Sequence, residues 1–340
     1  MSLVTRRRFV SFTAGVAAVS TAALWGLRNQ SASASGRWER TGRAFGASAT
    51  ITVLHDDHDS AREAADAAWL ELERVERLLT IYQPESAVSR LNATGQLKQP
   101  PRELVEVLRV AADMSRRSRG AFDITVQPLW EVYSSSQRHG QLPTREQEAA
   151  ALALVDWRRV VVENEVVELL PNAAGQRPRI TLNGIAQGYV TDRVLATLAA
   201  HGVEHALLDT GEMGALGGKQ QREPWRVGIQ HPRDPDAYIA LADLEGRCLA
   251  TSGDYSTPLS PDFSRHHVFD PRTGRSPSEL SSVSIVAPTA TDADALSTAV
   301  MVAGWERGRA LVESSTDAAA LLVAKDGRVA ATRGFPLAAS

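Results

Sequence analysis

The sequence predicts an α+β fold, with mixed sheets and packed helices in a two-lobed single chain. Segments that alternate with period two and segments that carry an apolar stripe at helical spacing both recur along the chain. They follow one another without the regular strand–helix–strand rhythm of a doubly wound sheet. Composition agrees, since 43% of the 340 residues are hydrophobic and 23% are charged. Those values belong to a globular chain and exclude a disordered or collagen-like one.

The first 34 residues are set apart. Thr5-Arg6-Arg7-Arg8-Phe9-Val10 places paired arginines before an apolar stretch that runs to about Leu27, the pattern of a twin-arginine export signal. Ser11, Thr13, Ser20 and Thr21 make this stretch too polar for a permanent span, and Ala32-Ser33-Ala34 suits a cleavage site. The expectation is a periplasmic protein, exported folded, with no stable membrane span after processing. Cys248 is the single cysteine, so a disulfide framework is excluded.

Along the rest of the chain, Ser48 to Leu54 alternates as a half-buried strand. Ala65, Trp69, Leu72, Val75 and Leu79 then form one stripe of a helix over 60–79. Pro84 and Asn92–Gly95 read as a loop, and Pro100-Pro101 opens a helix over 102–117 that Gly120 ends. A loop and short helix over 140–153 precede strands near 158–163 and 166–170, joined at Asn164-Glu165. The least poor place for a lobe boundary is 140–157. A helix over 187–200 stops at Gly202. Strands follow at 205–209, 225–230, 238–244, 247–250 and 282–286, then helices at 293–302 and 306–314. A hairpin turning at Asp326-Gly327 closes the chain.

Charge excludes one class of function. With 37 basic against 40 acidic side chains and no basic stripe, the chain is no nucleic-acid binder. Several segments carry polar chemistry. Thr181-Leu182-Asn183-Gly184 leads into a helix start at Gln187-Gly188, where backbone N–H groups and the helix dipole favour an anion. A tight turn before an amphipathic helix explains it equally well. Gly211 to Lys219 imitates a phosphate-binding loop but lacks its glycine at Met213 and its hydroxyl residue at Gln220. Asp294 and Thr298, four apart on a helix, offer hard oxygen donors suited to Mg²⁺. The alternative is Asp292 as an N-cap with Thr298 bonded back to its own helix. Thr251–Tyr255 and His266–Gly274 are turn-rich segments of the kind that line ligand sites or merely cover a surface. His55 and His58 make a weak metal pair at a strand end.

Taken together and in order, these segments resemble the ApbE family of FAD:protein FMN transferases, over about residues 41–330. The carriers are Tyr82-Gln83-Pro84-Glu85-Ser86 with Ser89-Arg90-Leu91-Asn92, Ala121-Phe122-Asp123 through Leu129, Gly184 to Asp192, Thr251 to Tyr255, His267 to Gly274, and Asp294 to Thr298. The resemblance implies an ApbE-like, T-fold-related architecture and the Mg²⁺-dependent transfer of FMN from FAD to a Ser or Thr of a target flavoprotein, with release of AMP. It implies that Phe45, Tyr82, Ala121, Phe122, Asp123, Thr181, Gln187 and Arg272 serve FAD, and that His267 sits beside the flavin. Asp294, Thr298 and the Gly184 carbonyl would hold the metal. His267, Asp254 and Asp270 are the candidates for the base that takes the acceptor's proton, with His267 ranked first.

The chain departs from the family pattern at Thr181, where Asp is common, at Gln187, where Lys or Glu is common, and at Gly211-Glu212 in place of Gly-Gly. The run Leu182 to Asp192 looks like the NosX-type branch, which implies a periplasm-facing acceptor such as NosR. Two rival readings stay open at this level, an FAD pyrophosphatase and a flavin-binding protein without turnover.

Overall fold

The computed structural model describes residues 36–219 and 223–339, so the expected export signal lies outside the described residues. An antiparallel sheet of eight strands organises the chain. In spatial order it holds β1 (Arg37–Ala44), β2 (Ala47–Leu54), β6 (His205–Asp209), β7 (Met213–Leu216), β10 (Cys248–Gly253), β11 (Leu280–Ala287), β12 (Ala319–Ala324) and β13 (Val329–Ala331). A small sheet pairs β3 (Gln96–Lys98), β5 (Val166–Leu169) and β4 (Val160–Val162), and β8 (Trp225–His231) pairs with β9 (Asp234–Leu244). Mixed helices and antiparallel sheets make the fold α+β, as the sequence predicts.

Two cores flank the large sheet. The larger forms between the sheet and the helices α1 (His58–Leu79), α3 (Arg102–Arg117), α6 (Ala186–Ala200) and α7 (Ala290–Ala303). On the opposite face, Ala215, Leu249, Val286 and Leu321 of the sheet pack on Trp225, Val227 and Leu244 of the β8–β9 hairpin. Because both faces are covered, β11 is buried at all eight positions and shows no alternation. A third cluster joins Leu129 and Tyr133 of α4 (Gln127–Arg138), Ala151 of α5 (Arg145–Leu152) and Phe269. The 140–157 stretch thus carries a packed helix, tied to α4 by the Tyr133 hydroxyl donating to Glu148 at 2.6 Å. The remaining helices are α2 (Ala87–Thr94) and α8 (Trp305–Glu313).

Several elements differ from expectation, each for a physical reason. Asn92 to Thr94 end helix α2, which Ser86 caps by accepting from Ser89 N at 2.9 Å and which Gly95 closes at φ 75°. The expected loop there is one short helix with its caps. Strand β1 escapes the period-two signal because its inward face includes Arg40 and Gly42. Arg40 pairs with Asp66 and lies over Trp69, and a Cβ on Gly42 would meet the Trp69 ring at 2.2 Å. Helix α4 was masked by Ser134-Ser135-Ser136, which favour turns, although Leu129 and Tyr133 still bury. The α7 cap is Thr289, accepting from Asp292 N at 3.1 Å, and not Asp292. The segment after Gly211 enters strand β7, so it is no phosphate loop. His55 is spent on the Asp57 turn and His58 sits edge-on to Trp38, so they form no metal pair.

Candidate active site

Helices α6 and α7 meet at their N-terminal ends, and each supplies the other's cap. Helix α6 starts after Ile185 with no side-chain cap of its own. The Gly188 N–H donates instead to Asp294 Oδ2 of α7 at 3.0 Å. In return Asp192 of α6 accepts from Ala290 N at 2.7 Å and Thr291 N at 2.9 Å, and from the Thr291 hydroxyl. These are the orphan N–H groups of two helix starts, satisfied by the buried Asp294 and the half-buried Asp192. Glycine at 188 is obligatory, because a Cβ there would meet the Ala290 carbonyl oxygen at 2.2 Å and Asp294 Cβ at 2.8 Å.

The turn before α6 brings the hard oxygen donors together. A Cβ on Gly184 would stand 2.9 Å from Thr298 Oγ1 and 3.5 Å from the Phe122 ring. The Thr298 hydroxyl does not bond back to its own helix; it lies 3.3 Å from Ser252 Oγ, which is also 2.7 Å from Ser297 Oγ. Asp294 is buried, and burial lifts its carboxyl to about 7, against the pull of the Gly188 N–H. Among the described residues no group of three or more His, Cys, Asp or Glu side chains is gathered for a metal. What meets here is one carboxylate, the Thr298 hydroxyl and the Gly184 turn.

Aromatic and polar residues border this turn. Thr181 N donates to Ile124 O at 2.8 Å, which sets Thr181–Gly184 beside Ala121-Phe122-Asp123. Asp123 is consumed internally, accepting from Thr125 N at 2.8 Å, Thr125 Oγ1 at 2.6 Å and Trp157 N at 3.1 Å. Burial raises it to about 6 despite those donors. Tyr82 is exposed, with its hydroxyl at Asn183. Phe45 and Gly46 form the β1–β2 turn with φ of 49° and 78°, a backbone a bulky side chain rarely adopts. Glu76 Oε1 holds that turn by accepting from Phe45 N at 2.7 Å. Gln187 Nε2 donates to Thr210 O at 3.1 Å.

The three candidate bases differ sharply. Asp254 is fully buried, and both its oxygens accept from Arg233, at 2.7 and 2.8 Å, with Lys325 Nζ at 3.3 Å. Asp270 is likewise occupied by Arg272, through Nε and Nη2 at 2.8 Å each, inside its own turn. That pair consumes the Arg272 guanidinium as well, and among the described residues no hydrogen bond or ion pair joins this turn to Asp294. His267 has no carboxylate or cation paired with it among the described residues. Burial, then the neighbouring His266, hold its imidazole near 4, and its Nδ1 has no hydrogen-bond partner. Sequence reasoning passed over Glu212, which is buried; burial and then the charge of Asp294 raise its carboxyl well above the ordinary range. Its position beside Gly211, within a segment noted for departing from pattern, was the available signal.

With this geometry in place, the comparisons identify the family. The family model described as "ApbE family" matches residues 45–322. The FAD:protein FMN transferase of Treponema pallidum (strain Nichols) is 32% identical over 291 residues, 80% of each chain. That of Escherichia coli (strain K12) is 29% identical over 295 residues, 84% of each chain. The ApbE protein of Thermotoga maritima superposes with a TM-score of 0.76 at 28% identity, covering 87% of this chain and 97% of its own. The apo flavinyl transferase ApbE of Pseudomonas stutzeri gives 0.75 at 29% identity, covering 87% and 94%. Overlapping most of the chain and enclosing the α6–α7 junction, these matches establish that the chain belongs to the ApbE family.

Proposed function

We propose that this chain is an FAD:protein FMN transferase that moves the FMN half of FAD onto a Ser or Thr hydroxyl of an acceptor flavoprotein and releases AMP. One observation carries the reading: Asp294, Thr298 and Gly184 converge at the α6–α7 junction in a chain that matches FAD:protein FMN transferases over most of its length. Their oxygens are hard donors, and Gly184 lies close against Thr298, so the residue types fit a divalent cation such as Mg²⁺. Asp294, Thr298 and the Gly184 carbonyl would hold it. When bound, Mg²⁺ supplies positive charge against the anionic oxygens of the pyrophosphate.

The protein's own residues do the rest. The acceptor hydroxyl oxygen attacks the FMN phosphorus, the bond from that phosphorus to the AMP oxygen breaks, and AMP leaves with the electron pair. Near neutral pH His267 is an unprotonated imidazole with a free Nδ1, the form required to take the hydroxyl proton. Asp254 and Asp270, locked on Arg233 and Arg272, act as supports for the loop. Tyr82, which is exposed, and Phe45, which is half-buried, offer aromatic faces for an isoalloxazine or adenine ring, whereas Ala121 and Phe122 are buried in the core and act from behind the Gly184 turn. Thr181 and Gln187 keep uncharged polar groups at the same border. Asp123 positions the Ala121–Phe122 segment. We further place the protein in the periplasm, on the strength of Arg6-Arg7-Arg8 and the apolar stretch behind them, and name a NosR-like flavoprotein as the acceptor class.

The test is incubation with FAD, Mg²⁺ and an acceptor fragment carrying a modifiable Thr. An FMN mass shift on the acceptor, with AMP and with loss on adding EDTA, is expected. AMP without the shift would make the chain a pyrophosphatase. Bound FAD with neither product, on an acceptor that another family member modifies, would leave a binding protein.

A further inference from the structure

We propose that Glu212 is a second carboxylate of the Asp294 site, supplying the negative charge that a divalent cation needs and that Asp294, Thr298 and the Gly184 carbonyl lack between them. The inference rests on the reading of that site as a metal centre. Glu212 follows Gly211, whose φ of 97° turns the chain between β6 and β7. Thr210 N donates to Glu212 O at 3.1 Å, and Gly211 N donates to Asp209 Oδ1 at 3.1 Å, which closes the turn.

The turn is pinned to the start of α6. Gln187 Nε2 donates to Thr210 O at 3.1 Å, and the hydroxyls of Thr191 and Thr210 lie 2.8 Å apart. Gly188, next to Gln187, donates to Asp294. A second route runs through β10. Glu212 Oε2 accepts from Thr251 N at 3.2 Å, and the following residue, Ser252, reaches Thr298 Oγ1 at 3.3 Å. The Glu212 turn is therefore linked through Thr210 to Gln187, the neighbour of the Asp294 donor, and Glu212 itself is linked through Thr251 to Ser252, the partner of Thr298.

Its chemistry is unspent. Glu212 is 7% exposed, and among the described residues its carboxylate accepts one hydrogen bond, from Thr251 N–H. A carboxylate has about four acceptor positions. The charges acting on it are those of Asp294 and Asp209, both negative. Two carboxylates buried together without a cation destabilise a fold. A divalent cation between them reverses that balance, and oxygen ligands of this kind are what Mg²⁺ takes.

The test compares the full chain with Glu212→Gln and Asp294→Ala, free of FAD, in Mn²⁺ titrations followed by electron paramagnetic resonance and in melting curves. Glutamine keeps the shape of Glu212 and a carbonyl acceptor for Thr251 N–H, so a purely structural role survives the change. The expected result is Mn²⁺ binding weakened at least about tenfold in Glu212→Gln. Its metal-free Tm rises, and the Tm gain from Mn²⁺ shrinks. Wild-type Mn²⁺ affinity in Glu212→Gln, with binding lost in Asp294→Ala, overturns the proposal and leaves the metal site standing. A lower metal-free Tm with unchanged Mn²⁺ affinity assigns Glu212 to the fold alone and also overturns it. No Mn²⁺ binding by the wild type, or equal binding in Asp294→Ala, removes the metal centre itself and the proposal with it.

Discussion

The Gly188 N–H donates to Asp294 Oδ2 at 3.0 Å across 106 positions of sequence, and the missing side chain of Gly188 is what lets α7 come close enough. The obstacle to any larger residue is the Ala290 backbone carbonyl, which cannot swing aside as a flexible side chain does. Gly188→Ala is expected to separate the two helices and to lower stability by about 1–3 kcal/mol or more. Urea denaturation checks the stability. Wild-type stability together with wild-type Mn²⁺ affinity would show that the approach is not tight.

Asp294→Ala is expected to abolish FMN transfer while the chain still folds. Its cost in stability is the lost acceptor for Gly188 N–H, about 1–3 kcal/mol, offset in part because a buried carboxylate with like charges nearby is removed. Circular dichroism reports the fold, and acceptor mass reports transfer. An active, Mg²⁺-dependent variant would sink the metal assignment.

Asp254 joins three segments, since Arg233 lies between β8 and β9 and Lys325 follows β12. Asp254→Ala leaves both cations without their carboxylate, and the loss belongs toward the lower end of about 3–5 kcal/mol because the Arg233 side chain is 35% exposed and can reach water. Chemical denaturation measures it. Asp254→Asn should retain much of the stability if geometry matters more than charge.

The pH dependence of stability has two opposing parts. His267, held near 4 against an ordinary 6.5, binds its proton more readily in the unfolded chain. Its contribution is present above about 6.5 and is lost as pH falls toward 4. Asp123, raised to about 6, and Asp294, raised to about 7, act oppositely, favouring the fold at low pH and losing that contribution as pH rises through those values. The informative quantity is therefore the difference between the wild type and His267→Gln. That difference is expected to narrow as pH drops from 6.5 to 4, and a constant difference across this window would contradict the buried neutral imidazole.

Cys248 lies in β10 at 2% exposure, and burial, then Asp192, push its thiol to about 12. Alkylation by iodoacetamide is expected to be slow in the native protein and fast in urea, because the thiolate is the reacting species. Rapid native labelling would mean that β10 opens readily.

Two features of the α6–α7 junction are legible in the sequence. The four-residue spacing of Asp294 and Thr298 puts them on one helix face from sequence alone, and Gly184 and Gly188 announce a close approach at a helix start. Helices α1, α3 and α6 follow from periodicity because their apolar stripes are continuous and their stops are local. Strand β1 was hidden because its buried face is completed by a distant Trp69 that accepts Arg40 and fills the space above Gly42.

What the sequence by itself determined is the local vocabulary: an α+β chain, its long helices, and residue types suited to an oxygen-rich anion site. What only the tertiary structure decided is which charges meet. Asp254 and Asp270 read alike as bases until Arg233 and Arg272 are seen to occupy them, and nothing local to Glu212 announces that it is buried and bonded to the Thr251 N–H. The reason is physical. Backbone periodicity is set by neighbours a few residues away, whereas the energy of a buried charge is set by partners that the chain brings in from tens of residues away.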